Sequence, residues 1–127
     1  MSVVFGINDG AIIVTANLWR SVLVGDLSMV LDTGAELTVV NSRLLRGMGI
    51  PIPPDAKRIP LNTASGSQIG LKVVIPKFKA LGKTRTNFEI VCYELPKAIG
   101  CDGLLGLDFF RGFELNINFK TGQIQLK

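Results

Sequence analysis

Along much of this chain apolar and polar residues alternate with a period of two. Ile69, Leu71, Val73 and Ile75 recur at every second position, with Gly70 and Lys72 among the residues between them, and Phe88, Ile90 and Cys92 share one face of the segment Thr86–Tyr93. Phe113, Leu115, Ile117 and Phe119 continue the pattern, and Ile124 and Leu126 resume it after Lys120-Thr121-Gly122, a turn signal. Such alternation predicts strands with one buried face. Ala11–Leu18 reads as a strand, Gly25-Asp26 as a turn, and Leu27–Leu31 as the strand that follows it. Lys57–Asn62 and Gln68–Pro76 form the arms of a hairpin, and Glu94-Leu95-Pro96 closes the strand that ends at Tyr93. Helical signals are confined to two short places. Asn41-Ser42 can cap a turn over Arg43–Arg46 that Gly47 and Gly49 end, and Leu107–Arg111 supports another. Pro51, Pro53 and Pro54 impose an extended loop between. The predicted class is all-β with one or two short helices.

One stretch departs from simple alternation. Val30-Leu31-Asp32-Thr33-Gly34-Ala35 sets a carboxylate between two apolar, strand-favouring runs, Met29–Leu31 and Leu37–Val40. A routine turn faces water and needs no apolar flanks, whereas a carboxylate kept among apolar residues needs hydrogen-bond donors around it. Thr33 offers a hydroxyl, and Gly34 allows a tight turn and a close approach to a ligand. The expectation is an Asp32 held at the tip of a buried loop.

Leu104-Leu105-Gly106-Leu107-Asp108 follows late in the chain, with the small-residue hairpin tip Thr63-Ala64-Ser65-Gly66-Ser67 between the two motifs. In that order and over about Val14 to Leu126, the three resemble the retropepsin-like aspartic proteases, and cellular or bacterial members more than viral ones. The resemblance implies a closed acid-protease barrel with a flap hairpin and one half-site per chain. Asp32 would be catalytic, with Thr33 and Gly34 supporting its loop. Leu31, Ala35, Ala64, Ser65, Gly66, Leu104 and Leu105 would bind substrate or form the flap, and Ile69 is a further candidate for a pocket wall. Asp108 lacks a following Thr-Gly and is read as a structural carboxylate that caps the late helix. With a single Asp-Thr-Gly per chain, the implied enzyme is a homodimeric aspartic endopeptidase acting on an extended peptide or protein substrate, without metal or other cofactor. Viral members usually carry Arg where Leu107 stands, paired with the acid that Glu36 keeps here, so the implied dimer lacks that brace.

Composition narrows the chemistry. There is no histidine among the 127 residues, which excludes Ser-His-Asp and Cys-His pairs and His-bound zinc. The net charge of +4 is scattered rather than clustered, and the single Trp and single Tyr lie far apart, so nucleic-acid binding is not expected. Cys92 and Cys101 make no disulfide framework and are expected as thiols. No run approaches the length of a membrane span, and Met1–Gly6 lacks the pattern of a signal peptide. The reading is one domain over 1–127, which can be an excised piece of a longer protein; compartment is not legible. Two other readings stand beside the enzyme: a catalytically inactive barrel of the same ancestry that binds peptides or only dimerises, and an oligomerisation domain with an accidental Asp-Thr-Gly.

Overall fold

The structure, a computed structural model, describes residues 2–63 and 66–127. Among the described residues ten strands and two short α-helices, besides a 3-10 turn at Lys97–Ile99, succeed one another. They are β1 (Ser2–Val4), β2 (Ile13–Trp19), β3 (Leu23–Leu31), β4 (Val39–Asn41), α1 (Ser42–Gly47), β5 (Arg58–Thr63), β6 (Gly66–Ala80), β7 (Lys83–Tyr93), β8 (Gly103–Leu105), α2 (Leu107–Phe110), β9 (Leu115–Asn118) and β10 (Gln123–Leu126). Six of the strands, in the order β2-β3-β8-β4-β7-β6, close into a barrel because β6 also pairs with β2. Fifteen residues of β6 make this closure possible. Its far half reaches β2 through Ala16↔Ala80 to Trp19↔Lys77, while its near half pairs with β5, which hangs on as a seventh strand. Closure removes the free edges that an open sheet would expose.

The predicted alternation fills the barrel. Ala16, Leu18, Leu27, Met29, Val73, Ile75, Ile90 and Leu105 are all buried in its core. Phe78, Phe88 and Phe109 meet there with ring centroids 5.2 to 6.0 Å apart at tilted or edge-on angles, a favourable aromatic arrangement. Strand β10 lies between β1 and β9 in a separate three-stranded sheet and sends Ile124 and Leu126 into the same core.

Several boundaries differ from the sequence reading. The strand read over Phe113–Phe119 spans only Leu115–Asn118, with Phe119 exposed in the following turn, and the one read from Thr86 begins at Lys83. Two further differences have a packing reason. Gly25-Asp26 is no turn: β3 runs straight through it, and the chain reverses earlier, at Arg20–Val22, where the Arg20 N–H donates to the Val22 carbonyl at 3.0 Å. Gly25 packs beside the Met48 side chain, whose Cε would lie 2.7 Å from a Cβ there and would have to swing aside, and Asp26 accepts a cross-strand hydrogen bond from Asn17. Pro76 does not end its strand either. Strand β6 continues to Ala80, and the inward phase passes from Val73 and Ile75 to Phe78 and Ala80 across the proline. The Pro76 position has no registered partner in the ladder with β7, where Asn87 opposite takes a φ of 49°.

The first helix forms where capping residues predicted it. Asn41 accepts from the Arg43 N–H at 3.1 Å, and Gly49, at φ 75°, lies just beyond the helix end. Among the described residues no helix is long and apolar enough to cross a membrane.

Candidate active site

Strand β8 lies between β3, to which it is parallel, and β4, to which it is antiparallel. The segment 32–38 that joins β3 to β4 must therefore arch past the end of β8. Three backbone hydrogen bonds hold the arch there. The Asp32 N–H donates to the Leu105 carbonyl at 3.0 Å, the Leu107 N–H to the Ala35 carbonyl at 2.8 Å, and the Asp108 N–H to the Glu36 carbonyl at 3.2 Å. Gly106 sits directly under the arch: a Cβ there would fall 2.6 to 2.8 Å from backbone atoms of Leu37 and Ala35, so no larger residue fits without displacing the loop. Gly103 is equally constrained, with its would-be Cβ 2.2 Å from the Val39 carbonyl oxygen. The early and late motifs are thus one interlocked unit.

Thr38 locks it. The residue is fully buried, and its hydroxyl donates to Asp108 Oδ1 at 2.6 Å while accepting from the Gly106 N–H at 3.1 Å. The Thr38 N–H adds bonds of 2.9 and 3.0 Å to the two Asp108 oxygens. Asp108 therefore does not cap α2 as expected. Gly106 holds the cap position, Asp108 lies in the first helical turn, and its carboxylate turns to Thr38 because that residue presents two donors at once.

Asp32 lies at the start of the arch, half-buried, with Oδ1 accepting from the Gly34 N–H at 2.9 Å. Thr33 and Gly34 are exposed. The loop is therefore not buried among the described residues, where the sequence implied that it would be. Beside it opens a cleft of about 300 Å³ between the loop residues Gly34–Glu36 and β5 at Pro60–Asn62, with Val39, Tyr93 and Leu104 in its walls.

Of the residues expected to touch substrate, Ala35 and Leu104 line this cleft. Leu105 does not: it is fully buried, and Leu31 is 8% exposed, both in the barrel core because the pleat of β3 and β8 turns them inward. Ile69 is exposed on the β5–β6 hairpin, outside the cleft. Gly66 begins β6 at φ 112°, a conformation that favours glycine, whereas Ala64 and Ser65 lie outside the described residues. The sequence reading missed Thr38, Val39, Leu61 and Tyr93. Thr38 looked like one more β-branched strand residue, and its hydroxyl matters only through a partner 70 positions away.

Among the described residues no group of three His, Cys, Asp or Glu side chains could hold a metal ion. Cys92 and Cys101 are both free thiols; burial pushes the Cys92 thiol above its usual range, with Arg46 opposing more weakly.

A family model described as "Aspartyl protease" matches residues 24–109, which include both motifs. Among solved structures, the chain is similar to a retropepsin-like aspartic protease from Rickettsia conorii, with a TM-score of 0.71 and 17% identity over 99% of this chain and 88% of that one. It is also similar to the retroviral protease-like domain of Ddi1 from Leishmania major, with a TM-score of 0.57 and 15% identity over 94% and 96% of the two chains. No curated protein sequence gives a match.

Proposed function

The chain belongs to the aspartyl protease family and has the retropepsin-like fold, and from that premise we propose that it is an aspartic endopeptidase active as a homodimer. The observation that carries the proposal is the placement of Asp32: half-buried, at the exposed end of an arch anchored at both feet, with one carboxylate oxygen oriented by the Gly34 N–H. Water activation by carboxylates needs two of them, and the chain has one Asp-Thr-Gly. A two-fold axis through the exposed Thr33-Gly34 turn would set Asp32 against Asp32 of the partner subunit. The whole chain, 1–127, then acts as one half of the enzyme.

In that arrangement the two carboxylates share one proton. The ionised one removes a proton from a water between them, and the water oxygen bonds to the peptide carbonyl carbon. The protonated one donates to the carbonyl oxygen. Collapse of the tetrahedral intermediate breaks the C–N bond as a proton passes to the leaving nitrogen. An extended peptide would lie between the arch and the β5–β6 hairpin, bonding to main chain as an added strand and placing a side chain in the 300 Å³ cleft. The hairpin, tipped by Ala64, Ser65 and Gly66, would serve as the flap. For the dimer contact, Val4 and Phe119 are large apolar side chains left 74% and 65% exposed at the three-stranded sheet.

One observation favours the inactive module instead. Leu107 stands where an ion-pairing residue could brace Glu36, and Glu36 has no ion pair among the described residues, so a dimer is held less tightly. Digestion of casein and of dye-labelled peptides at acid and neutral pH, with pepstatin and the Asp32→Asn chain as controls, decides between the readings. Pepstatin-sensitive cleavage that disappears with Asp32→Asn is expected. Dimer formation without cleavage would establish the module.

A further inference from the structure

Glu36 stands exposed at the rim of the cleft beside the Asp32 arch, and its carboxylate has neither a hydrogen bond nor an ion pair among the described residues. The two ion pairs found lie elsewhere, Arg43 with Glu94 and Lys72 with Glu89. Beside this lone carboxylate part of the wall is apolar. Val39 is buried, and Leu61, Leu104 and Tyr93 pack half-buried against the small hydrophobic cluster it forms with Val91 and Leu95, apart from the barrel core. Asn62 is the polar group on the opposite rim.

The volume, about 300 Å³, is at the low end of small-ligand sites, which suits one long side chain rather than a separate molecule. A throat with apolar side chains along part of its wall and a carboxylate at its mouth fits a side chain that lays methylenes along that wall and keeps a charged head near water. A carboxylate side chain would meet like charge at the rim. A plain aliphatic chain would fill the throat and leave the charge unanswered.

We propose that this cleft selects a lysine or arginine side chain of the substrate peptide, with Glu36 as the counter-charge and Val39, Leu61 and Leu104 as the wall for the aliphatic stem. The inference rests on the peptidase reading and deepens it by naming a substrate class.

The test uses a peptide series in which each position in turn carries norleucine or lysine, chains of closely similar length that differ in charge. Wild-type protein should cleave the lysine member of one pair about five- to tenfold better in kcat/KM, the range of a partly exposed charge-assisted contact. Raising the salt should shrink that ratio, because the rim is open to counter-ions. Glu36→Gln, which melts with the wild type if it only loses a surface charge, should bring the ratio to about one. Equal rates for every pair in the wild type, or a lysine preference that survives in Glu36→Gln, would overturn the proposal. The same pairs are also measured by fluorescence anisotropy on Asp32→Asn chains, which cannot turn them over. If wild-type protein cleaves nothing, the peptidase reading fails, and the binding ratios still decide the cleft: a lysine preference sustains it, and equal binding or none removes it.

Discussion

Thr38 shows how much of this site depends on a single hydroxyl. It donates to Asp108 and accepts from the Gly106 N–H, so Thr38→Val leaves the buried Gly106 N–H without its acceptor and takes one donor from the half-buried Asp108 carboxylate, which keeps the backbone N–H of residue 38. The expected cost is about 1–3 kcal/mol, read as a lower urea midpoint with an unchanged slope. Asp108→Asn should cost a similar amount, and the double variant less than the sum, because the two residues share one network. Asp32 should behave oppositely. Asp32→Asn keeps an oxygen for the Gly34 N–H, so fold and association should persist while peptide cleavage disappears; activity near wild type would remove Asp32 from the mechanism. Cys92 carries a pH prediction with a definite sign. Burial raises its thiol above the ordinary value, so the fold favours the neutral form. That contribution is complete below the pKa of an unfolded thiol, about 8.5, and is lost as pH rises through the higher folded value. Alkylation of native protein at about pH 8 should therefore label the half-buried Cys101 first, with Cys92 reacting only once urea unfolds the chain.

Among the elements, α2 is the one whose position the site cannot do without. It spans only Leu107–Phe110 and carries no basic residue in its last turn. Arg85 of β7 supplies the missing cation. Its guanidinium donates to the Phe109 carbonyl at 2.8 Å and to the Arg111 carbonyl, and lies over the Phe113 ring at 4.6 Å. Arg85→Met should lower stability by about 1–2 kcal/mol, and Arg85→Lys should recover only part, since an ammonium cannot reproduce the fork. Calorimetry on the pair of variants measures this. The β5–β6 hairpin is the element whose role is dynamic in the proposed mechanism. Gly66 has open space around its Cβ position but a φ of 112°, so Gly66→Val is opposed by backbone conformation rather than by packing. At this exposed end of β6, kcat/KM should fall much further than stability; equal losses would mark a plain surface hairpin.

For the molecule as a whole, the decisive quantity is concentration. With one Asp-Thr-Gly per chain, specific activity should fall on dilution below the dimer dissociation constant, and excess Asp32→Asn chains should poison wild-type protein through mixed dimers. A stable interface needs about 1,200–2,000 Å² of buried surface, and the exposed Val4 and Phe119 mark where such burial would be most favourable. With Leu107 in place of a bracing cation, the loss is expected at roughly micromolar protein, a Kd that corresponds to about 8 kcal/mol. A chain that sediments as a monomer and cleaves peptide at full rate would sink the two-fold site.

Local order along the chain determined what depends on near neighbours. The period of two in Ile69–Ile75, Leu115–Ile117 and Ile124–Leu126 declared strands because a pleated strand turns alternate side chains to opposite faces. Asn41 declared the start of α1, and the order of Asp32-Thr33-Gly34 and Gly106-Leu107-Asp108 declared the family, each from residues a few positions apart. What depends on distant partners came only from the tertiary structure. Gly25 looked like a turn because the Met48 side chain it packs beside is 23 positions away, and only packing brings them together. Leu104 and Leu105 look alike in the sequence, yet the pleat of β8 sends one to the cleft and the other to the core. The Asp32 loop looked buried because its flanks are apolar, but the strands on either side carry that burial, and among the described residues Thr33 and Gly34 at the loop itself are exposed.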